Sequence, residues 1–280
     1  MTPEFFYIII LILTGMGVGF TTGLLGVGGG FITVPILFFL LGTMGVESTL
    51  AIRMAFATSL AVIIPTAISS AYGHQRKHKL VTNAVIFLGI SGFSGGIIGA
   101  YIATHTPGYY LEIAFALVLL LVALRMLVFN ELDRNSKIVE NIPQFIVWGF
   151  IAGLMSGLIG IGGGVILIPV MVLLMGFTMD EAAGNSSAII AIISIGGLLS
   201  YILNGFNVFG LPTDSLGYVN LLQFGILAIF SIPMAQVGSW ASHKLPEKLL
   251  RYIFIVLLVY ISLNMLGVIQ WLIYQITSLF

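Results

Sequence analysis

Two short stretches hold the residues best suited to chemistry. Residues 23–38 read GLLGVGGGFITVPILF, and residues 157–172 read GLIGIGGGVILIPVMV. Gly28, Gly29 and Gly30 precede Pro35 in the first, and Gly162, Gly163 and Gly164 precede Pro169 in the second. A helix that starts at such a turn leaves its first N–H groups without intrahelical partners. Those groups and the positive end of the helix dipole then point at one spot, which suits an anion. Glycine allows positive φ there and lets a ligand approach without a Cβ in the way. Pro35 and Pro169 read as hinges in the short helices that follow.

Hydroxyls and amides form a second constellation. Thr58-Ser59 and Asn185-Ser186-Ser187 lie in the segments after the short helices, and Thr22 and Ser156 lie beside the turns. Such donors coordinate an oxyanion, or else bond their own i−4 carbonyls and join helices to one another. Arg53 is the one basic residue well inside an apolar segment, six positions after Glu47. It either attracts anions, snorkels outward or pairs with Glu47. Gly15, Gly19 and Gly23, like Gly149, Gly153 and Gly157, recur every four residues. That spacing is read as close helix packing in lipid.

Other chemistries find no support in these residues. His74, His78, His105 and His243 lie in or next to connections and do not form a metal set, so no metal or other cofactor is expected. A strand before the glycines, which a dinucleotide fingerprint needs, is missing. No carboxylate lies deep in an apolar segment to serve as an acid or base, so the chain is not read as an enzyme. A buried proton relay is likewise not evident. There is no cysteine, which removes disulfides and thiolate sites.

These residues sit in a chain of 280 residues that is 59% hydrophobic and 7% charged, with mean hydropathy +1.15. A soluble domain has about a quarter of its residues charged. Apolar segments recur from end to end, so the expected fold is an all-α polytopic protein whose partner is the lipid bilayer. Ten basic and ten acidic residues cancel, which gives no case for nucleic acid. Ten segments are expected, at 5–24, 30–42, 47–72, 81–104, 108–129, 144–160, 164–176, 180–203, 218–242 and 249–275. A crossing helix needs about 20 residues, so 30–42 and 164–176 read as half-helices.

The halves repeat. A shift of 134 lays Gly15 through Pro35 on Gly149 through Pro169, and a shift of 128 lays Thr58-Ser59 on Ser186-Ser187. A shift of 139 lays Gly99 and Pro107 on Gly238 and Pro246. The expected organisation is two membrane repeats, 1–135 and 136–280. Lys and Arg concentrate in cytoplasmic connections. Arg76, Lys77 and Lys79 fill one connection, Arg134 and Lys137 the middle one, and Lys244, Lys248 and Arg251 a third. These agree if each half crosses an odd number of times. The repeats are then inverted, with both termini outside and the two turns facing each other near the midplane, the usual place for a transporter site.

The paired glycine-proline motifs, the ATSL and NSSA segments, and the GAYIATHTP and GSWASHKLP stretches resemble the TauE/SafE sulfite exporter family. The likeness covers nearly the whole chain. It implies a multi-pass transporter of the bacterial or archaeal inner membrane, with about eight spans, moving sulfite, organosulfonates or related anions outward or inward. By motif match it points to both glycine triplets, both prolines and the hydroxyl pairs. The expected function is thus a carrier that exports a small sulfur-containing anion by alternating access. Driving the anion out by membrane potential needs no proton, since ~100 mV is worth about 2.3 kcal/mol per charge. An anion channel of the same architecture, an uptake carrier for another oxyanion, and a membrane enzyme or assembly partner in sulfur metabolism are the competing readings. Homo-oligomers are neither required nor excluded.

Overall fold

The structure is a computed structural model and describes residues 3–76, 79–128, 141–242 and 247–266. Lys77, His78, Arg134, Lys137, His243, Lys244 and the end of the last expected segment lie outside the described residues. Ten helices are present among those described: α1 (Pro3–Leu25), α2 (Gly30–Thr43), α3 (Ser48–Gln75), α4 (Thr82–His105), α5 (Gly108–Val128), α6 (Ile142–Ile159), α7 (Gly164–Leu174), α8 (Met179–Gly205), α9 (Leu221–Ser242) and α10 (Glu247–Met265). Each falls on one of the ten expected segments. Six of them, α1, α3, α4, α6, α8 and α9, are long and apolar enough to cross a membrane. At 1.5 Å per residue α2 and α7 reach only about 21 and 16 Å, short of the roughly 30 Å hydrocarbon core.

One element was not expected. Residues 215–220, the end of the polar connection and the start of the expected segment 218–242, fold into a small hairpin in which β1 (Ser215–Leu216) pairs with β2 (Val219–Asn220). The Asn220 side chain then accepts from the Gln223 N–H at 2.9 Å. That bond satisfies an orphan donor and starts α9 at Leu221.

Helix direction follows from who touches whom. Along α1, Gly15 meets Leu227, Gly19 meets Ser231 and Gly23 meets Ala235 of α9, so the two run parallel. Along α6, Gly149 meets Leu88, Gly153 meets Gly92 and Gly157 meets Gly96 of α4, again parallel. Both glycine stripes therefore do the close packing read from their spacing, backbone against backbone. At the centre, α3 and α8 are the most buried of the six long helices. They run in opposite directions: Leu60 lies near Gly197, Ser70 bonds Ser187, and His74 packs on Gly184. α9 runs with α3 (Thr58 to Asn220, Thr66 to Ser231, Ser69 to Gln236). α4 runs with α8, since Gly92 meets Ile193 and Gly96 lies beside Gly197.

The bundle thus has an Arg53 end, where α3 starts and α8 finishes, and a His74 end, where α3 finishes and α8 starts. The helix ends that flank the three Lys- and Arg-bearing connections all belong to the His74 end. α1 runs toward that end, the turn after it drops back to the level of Ile63, and α2 covers only the remaining distance to the Arg53 end. α7 does the reverse. One hydrophobic core runs through both halves, from Leu11 and Phe31 to Leu227 and Leu258.

Candidate functional site

Each glycine turn is built from three residues in the left-handed region. Gly26, Gly28 and Gly29 have φ of 68°, 94° and 68°, and Gly160, Gly162 and Gly163 have 68°, 86° and 82°. Any side chain would be strained there. Gly29 and Gly163 are the residues just before α2 and α7. The last glycine of each expected triplet has ordinary helical geometry and serves another purpose. A Cβ on Gly30 would sit 2.7 Å from the Gly160 oxygen, and one on Gly164 would sit 2.5 Å from the Val27 oxygen. The two turns therefore lie directly on each other, with the N-terminal ends of α2 and α7 converging at mid-bundle from opposite ends. Pro35 and Pro169 sit inside α2 and α7, where each removes an i→i−4 hydrogen bond.

Ile63 of α3 and Ile190 of α8 close this meeting point. A Cβ on either Gly28 or Gly162 would meet both side chains, at 2.9 to 3.6 Å. Beside the second turn remains a cavity of about 10 Å³, lined by Val118, Met155, Ser156, Ile159, Ile161, Gly163, Val165 and Ile166, room for about one water. The conformation is closed at the turns.

The hydroxyls and amides hold backbone in this state. Ser59 donates to the Gly160 oxygen at 2.8 Å, and Ser186 donates to the Gly26 oxygen at 2.9 Å. Each thus reaches across to the turn of the other half. Thr58 accepts from the Asn220 N–H at 3.0 Å, and Asn185 accepts from the Val81 N–H at 2.8 Å. These bonds correct the expected register by one residue. Thr58 corresponds to Asn185 and Ser59 to Ser186, a shift of 127 rather than 128. The reason is geometric: the residue that must reach the turn carbonyl is Ser186, while Ser187 bonds Ala183 in its own helix and Ser70 across the interface.

Thr22 and Ser156 differ although both are buried. Thr22 donates to the Val18 oxygen at 2.7 Å. The Ser156 hydroxyl has no hydrogen-bond partner and borders the small cavity at Gly163. A buried hydroxyl left bare costs about 1–3 kcal/mol, so a polar visitor would be welcome there.

Arg53 lies apart from the turns, at its own end. It donates to the Thr106 oxygen at 2.9 Å and to the Tyr218 hydroxyl at 3.4 Å, while its Nε is buried with no partner. Glu47 makes no ion pair with it among the described residues. That carboxylate instead caps α3, accepting from the Leu50 N–H at 3.1 Å. The Thr49 backbone N–H holds it below the usual carboxylate range, with the Arg53 charge a lesser cause. By the corrected register the counterpart of Arg53 is Asp180. At the other end an open cleft of about 450 Å³ is lined by Gln75, Lys79, Leu80, Thr82, Val85 and Ile86.

Four residues of the site escaped the sequence reading: Ile63, Ile190, His74 and Tyr201. His74 is not a connection residue. It sits in the last turn of α3, 1% exposed, with Nε2 bonded to the Gly23 oxygen at 2.8 Å. Tyr201, fully buried, donates to the Gly157 oxygen at 2.9 Å. A usable signal existed for His74, because Thr66, Ser70 and His74 form a polar stripe at four-residue spacing on one helix face. None existed for the isoleucines. Among the described residues no group of three or more metal-ligating side chains occurs.

A helical membrane protein whose two broken helices meet at mid-bundle has the makings of a transporter, and comparison with known proteins agrees. The chain belongs to the sulfite exporter TauE/SafE family, matching it over residues 11–265. It is 30% identical over 262 residues to a probable membrane transporter protein of Haemophilus influenzae, covering 93% of this chain and 98% of that one. A probable membrane transporter protein of Methanocaldococcus jannaschii is 31% identical over 247 residues, covering 86% and 89%. A third, YunE of Bacillus subtilis, is 29% identical over 218 residues, covering 70% and 79%. No solved structure matches. The protein is a multi-pass membrane transporter and not an enzyme.

Proposed function

We propose that this transporter moves a small sulfur-containing anion, sulfite or an organosulfonate, by exposing the meeting point of α2 and α7 to each side of the membrane in turn. The observation that carries this is the convergence of two helix N-termini on one spot at mid-bundle. Ser156 adds an unpaired buried hydroxyl beside one of them. Two half-positive helix ends at a dry centre favour an anion over a cation or a neutral solute. The family's name supplies the sulfur; the geometry supplies the charge.

The antiparallel central pair, α3 and α8, supports reading the two halves as inverted repeats. The gathering of Lys and Arg at the His74 end supports placing that end in the cytoplasm of a bacterium or archaeon, with both termini outside. Export then runs from the His74 end to the Arg53 end, down the potential. In the closed state the cross-half bonds from Ser59 and Ser186 keep the turns together. Opening one side breaks the bond on that side and moves Ile63 or Ile190 aside. Arg53, Tyr218 and the Thr106 carbonyl line the outer route, with the unpaired Arg53 Nε available to a departing anion.

The test is flux in proteoliposomes holding sulfite, thiosulfate, sulfate or sulfoacetate, with an imposed potential. Saturable counterflow of sulfite or sulfoacetate, faster when the receiving side is positive, is the expected result. Flux that follows a pH gradient and ignores the potential overturns potential-driven export. Unsaturating single-channel currents overturn alternating access in favour of a channel.

A further inference from the structure

Ile190, Ser194, Gly197 and Tyr201 follow one another at spacings of four, three and four, so they share one face of α8. Three of the four touch the second turn or the end of α6 that leads into it. A Cβ on Gly162 or Gly164 would meet Ile190, a Cβ on Gly197 would lie 3.5 Å from the Gly157 Cα, and Tyr201 donates to the Gly157 oxygen. Ser194, between them, therefore faces the same turn. It is 0% exposed, and its hydroxyl has no hydrogen-bond partner. A hydroxyl inside a helix ordinarily donates to its own i−4 carbonyl, as Thr14, Thr22, Thr66 and Ser91 do in this chain. Ser194 forgoes that bond.

The matching face of α3 is built differently. The shift of 127 lays Ile63, Ala67, Ser70 and His74 on Ile190, Ser194, Gly197 and Tyr201. Ala67 brings no polar side-chain atom. Ser70 donates to the Thr22 oxygen at 3.2 Å and lies 2.9 Å from the Ser187 hydroxyl. Thr22, the counterpart of Ser156, is bonded to Val18. Both bare hydroxyls, Ser156 and Ser194, thus belong to the second half and flank the start of α7. The first half has a bonded or an apolar group at each place.

We infer that Ser194 is a second hydroxyl ligand for the carried anion, which rests against the second turn, on Ser156, Ser194 and the start of α7, and not midway between the halves. An oxyanion such as sulfite or a sulfonate presents an oxygen to each hydroxyl at once, with the positive helix end beside them. The first half supplies the wall. Ile63 reaches across to Gly162, and in the closed state the cavity beside Ser156 and Gly163 is only about 10 Å³. Withdrawing Ile63 opens the space between the two hydroxyls.

This placement deepens the anion-carrier reading and rests on it. The full chain in proteoliposomes is given sulfite, thiosulfate, sulfate and sulfoacetate in turn. Ser194→Ala should raise KM for the carried anion about tenfold, as expected for one hydrogen bond to a charged group, with little change in maximal rate. Its melting temperature in detergent should stay level or rise, because an unmet hydroxyl is removed. Lower melting with an unchanged KM marks a structural serine and overturns the proposal. The chain has no cysteine, so Ser194→Cys carries a single thiol. Iodoacetamide should label that thiol in proteoliposomes, and saturating sulfoacetate should slow the labelling. Absence of labelling overturns the site, as does labelling that sulfoacetate leaves unchanged while sulfoacetate flux proceeds. Labelling slowed by sulfate and not by sulfoacetate would instead overturn the sulfonate substrate and support the site. Saturable sulfite flux with the same KM in the natural chain and in Ser194→Ala would remove Ser194 and leave the carrier reading in place.

Discussion

Thr22 and Ser156 stand at the same place beside the two glycine turns, whose left-handed glycines have φ of 68°, 94° and 68° in one and 68°, 86° and 82° in the other. Thr22 spends its hydroxyl on Val18 of its own helix. Ser156, lacking the methyl that fixes the threonine rotamer, leaves its hydroxyl bare beside a cavity. Both turns have what the backbone requires, three left-handed glycines, one cross-half serine bond and one small residue for contact. They differ in what the backbone does not require. The difference teaches that the second turn, more than the first, is where a polar solute would first find an unmet partner.

The most damaging way to break the comparison is to separate the turns. Gly30→Ala or Gly164→Ala places a Cβ against backbone of the other half, so each should lower stability by about 3 kcal/mol or more. Loss of the monodisperse species on mild heating in detergent would register it. If one is tolerated and the other is not, the two turns do not share a single contact. Leucine at Gly29 or Gly163 should be as harmful, with Gly29 worse. A Cβ at Gly29 meets Val18 at 2.7 Å and Thr22 at 2.8 Å, against 3.0 Å to Ala152 at Gly163. Such variants therefore report on folding before they report on transport.

A smaller effect is expected from the serines. Ser59→Ala and Ser186→Ala should each cost about 1–2 kcal/mol, since a buried carbonyl loses its donor. Similar values for the pair, read by thermal unfolding in detergent, would support equivalence of the two ends, and a gap above about 2 kcal/mol would refute it. The smallest effect on stability should come at the positions that differ. Thr22→Val should cost under about 1 kcal/mol, and Ser156→Ala should be within about 0.5 kcal/mol of neutral, because it removes an unmet hydroxyl. Sulfite flux should nevertheless fall about tenfold in Ser156→Ala and stay near normal in Thr22→Val, the value of one good hydrogen bond. Equal flux in both would remove Ser156 from the anion site.

Much of this was legible before any coordinates. Apolar runs of the right length located all ten helices, and the glycine triplets marked where two of them start. The stripes at Gly15 and Gly149 announced backbone packing, since spacing of four on a helix defines a face. The purposes of the polar residues were not legible. Thr58, Ser59 and Ser186 read equally well as ligands for an anion or as fasteners for backbone, and only their partners, some 100 to 160 positions away, decide how they are used in the closed state. The register slipped by one because Ser186 and Ser187 are the same residue type and composition cannot tell them apart. His74 looked like a loop residue since Gln75, Arg76 and Lys77 follow it, although α3 continues to Gln75. Ile63 and Ile190, ordinary apolar residues in ordinary apolar helices, carry no signal at all.

The glycine stripes have a consequence for how the molecule is made. α1 packs its stripe against α9, and α6 packs its stripe against α4, so each of the closest helix contacts joins one half of the chain to the other. Helices leave the ribosome in order, and the first must wait in lipid for a partner nearly two hundred residues behind it. Until α9 arrives, Gly15, Gly19 and Gly23 face acyl chains with nothing to grip. The middle of the chain is different, because α6 finds α4 already in place and can dock as soon as it inserts. Assembly would therefore begin at the α4–α6 pair and finish at α1–α9, closing the ring from its middle toward its ends. Two separately expressed halves would each lack the other's share of both contacts, and neither would be expected to stand alone.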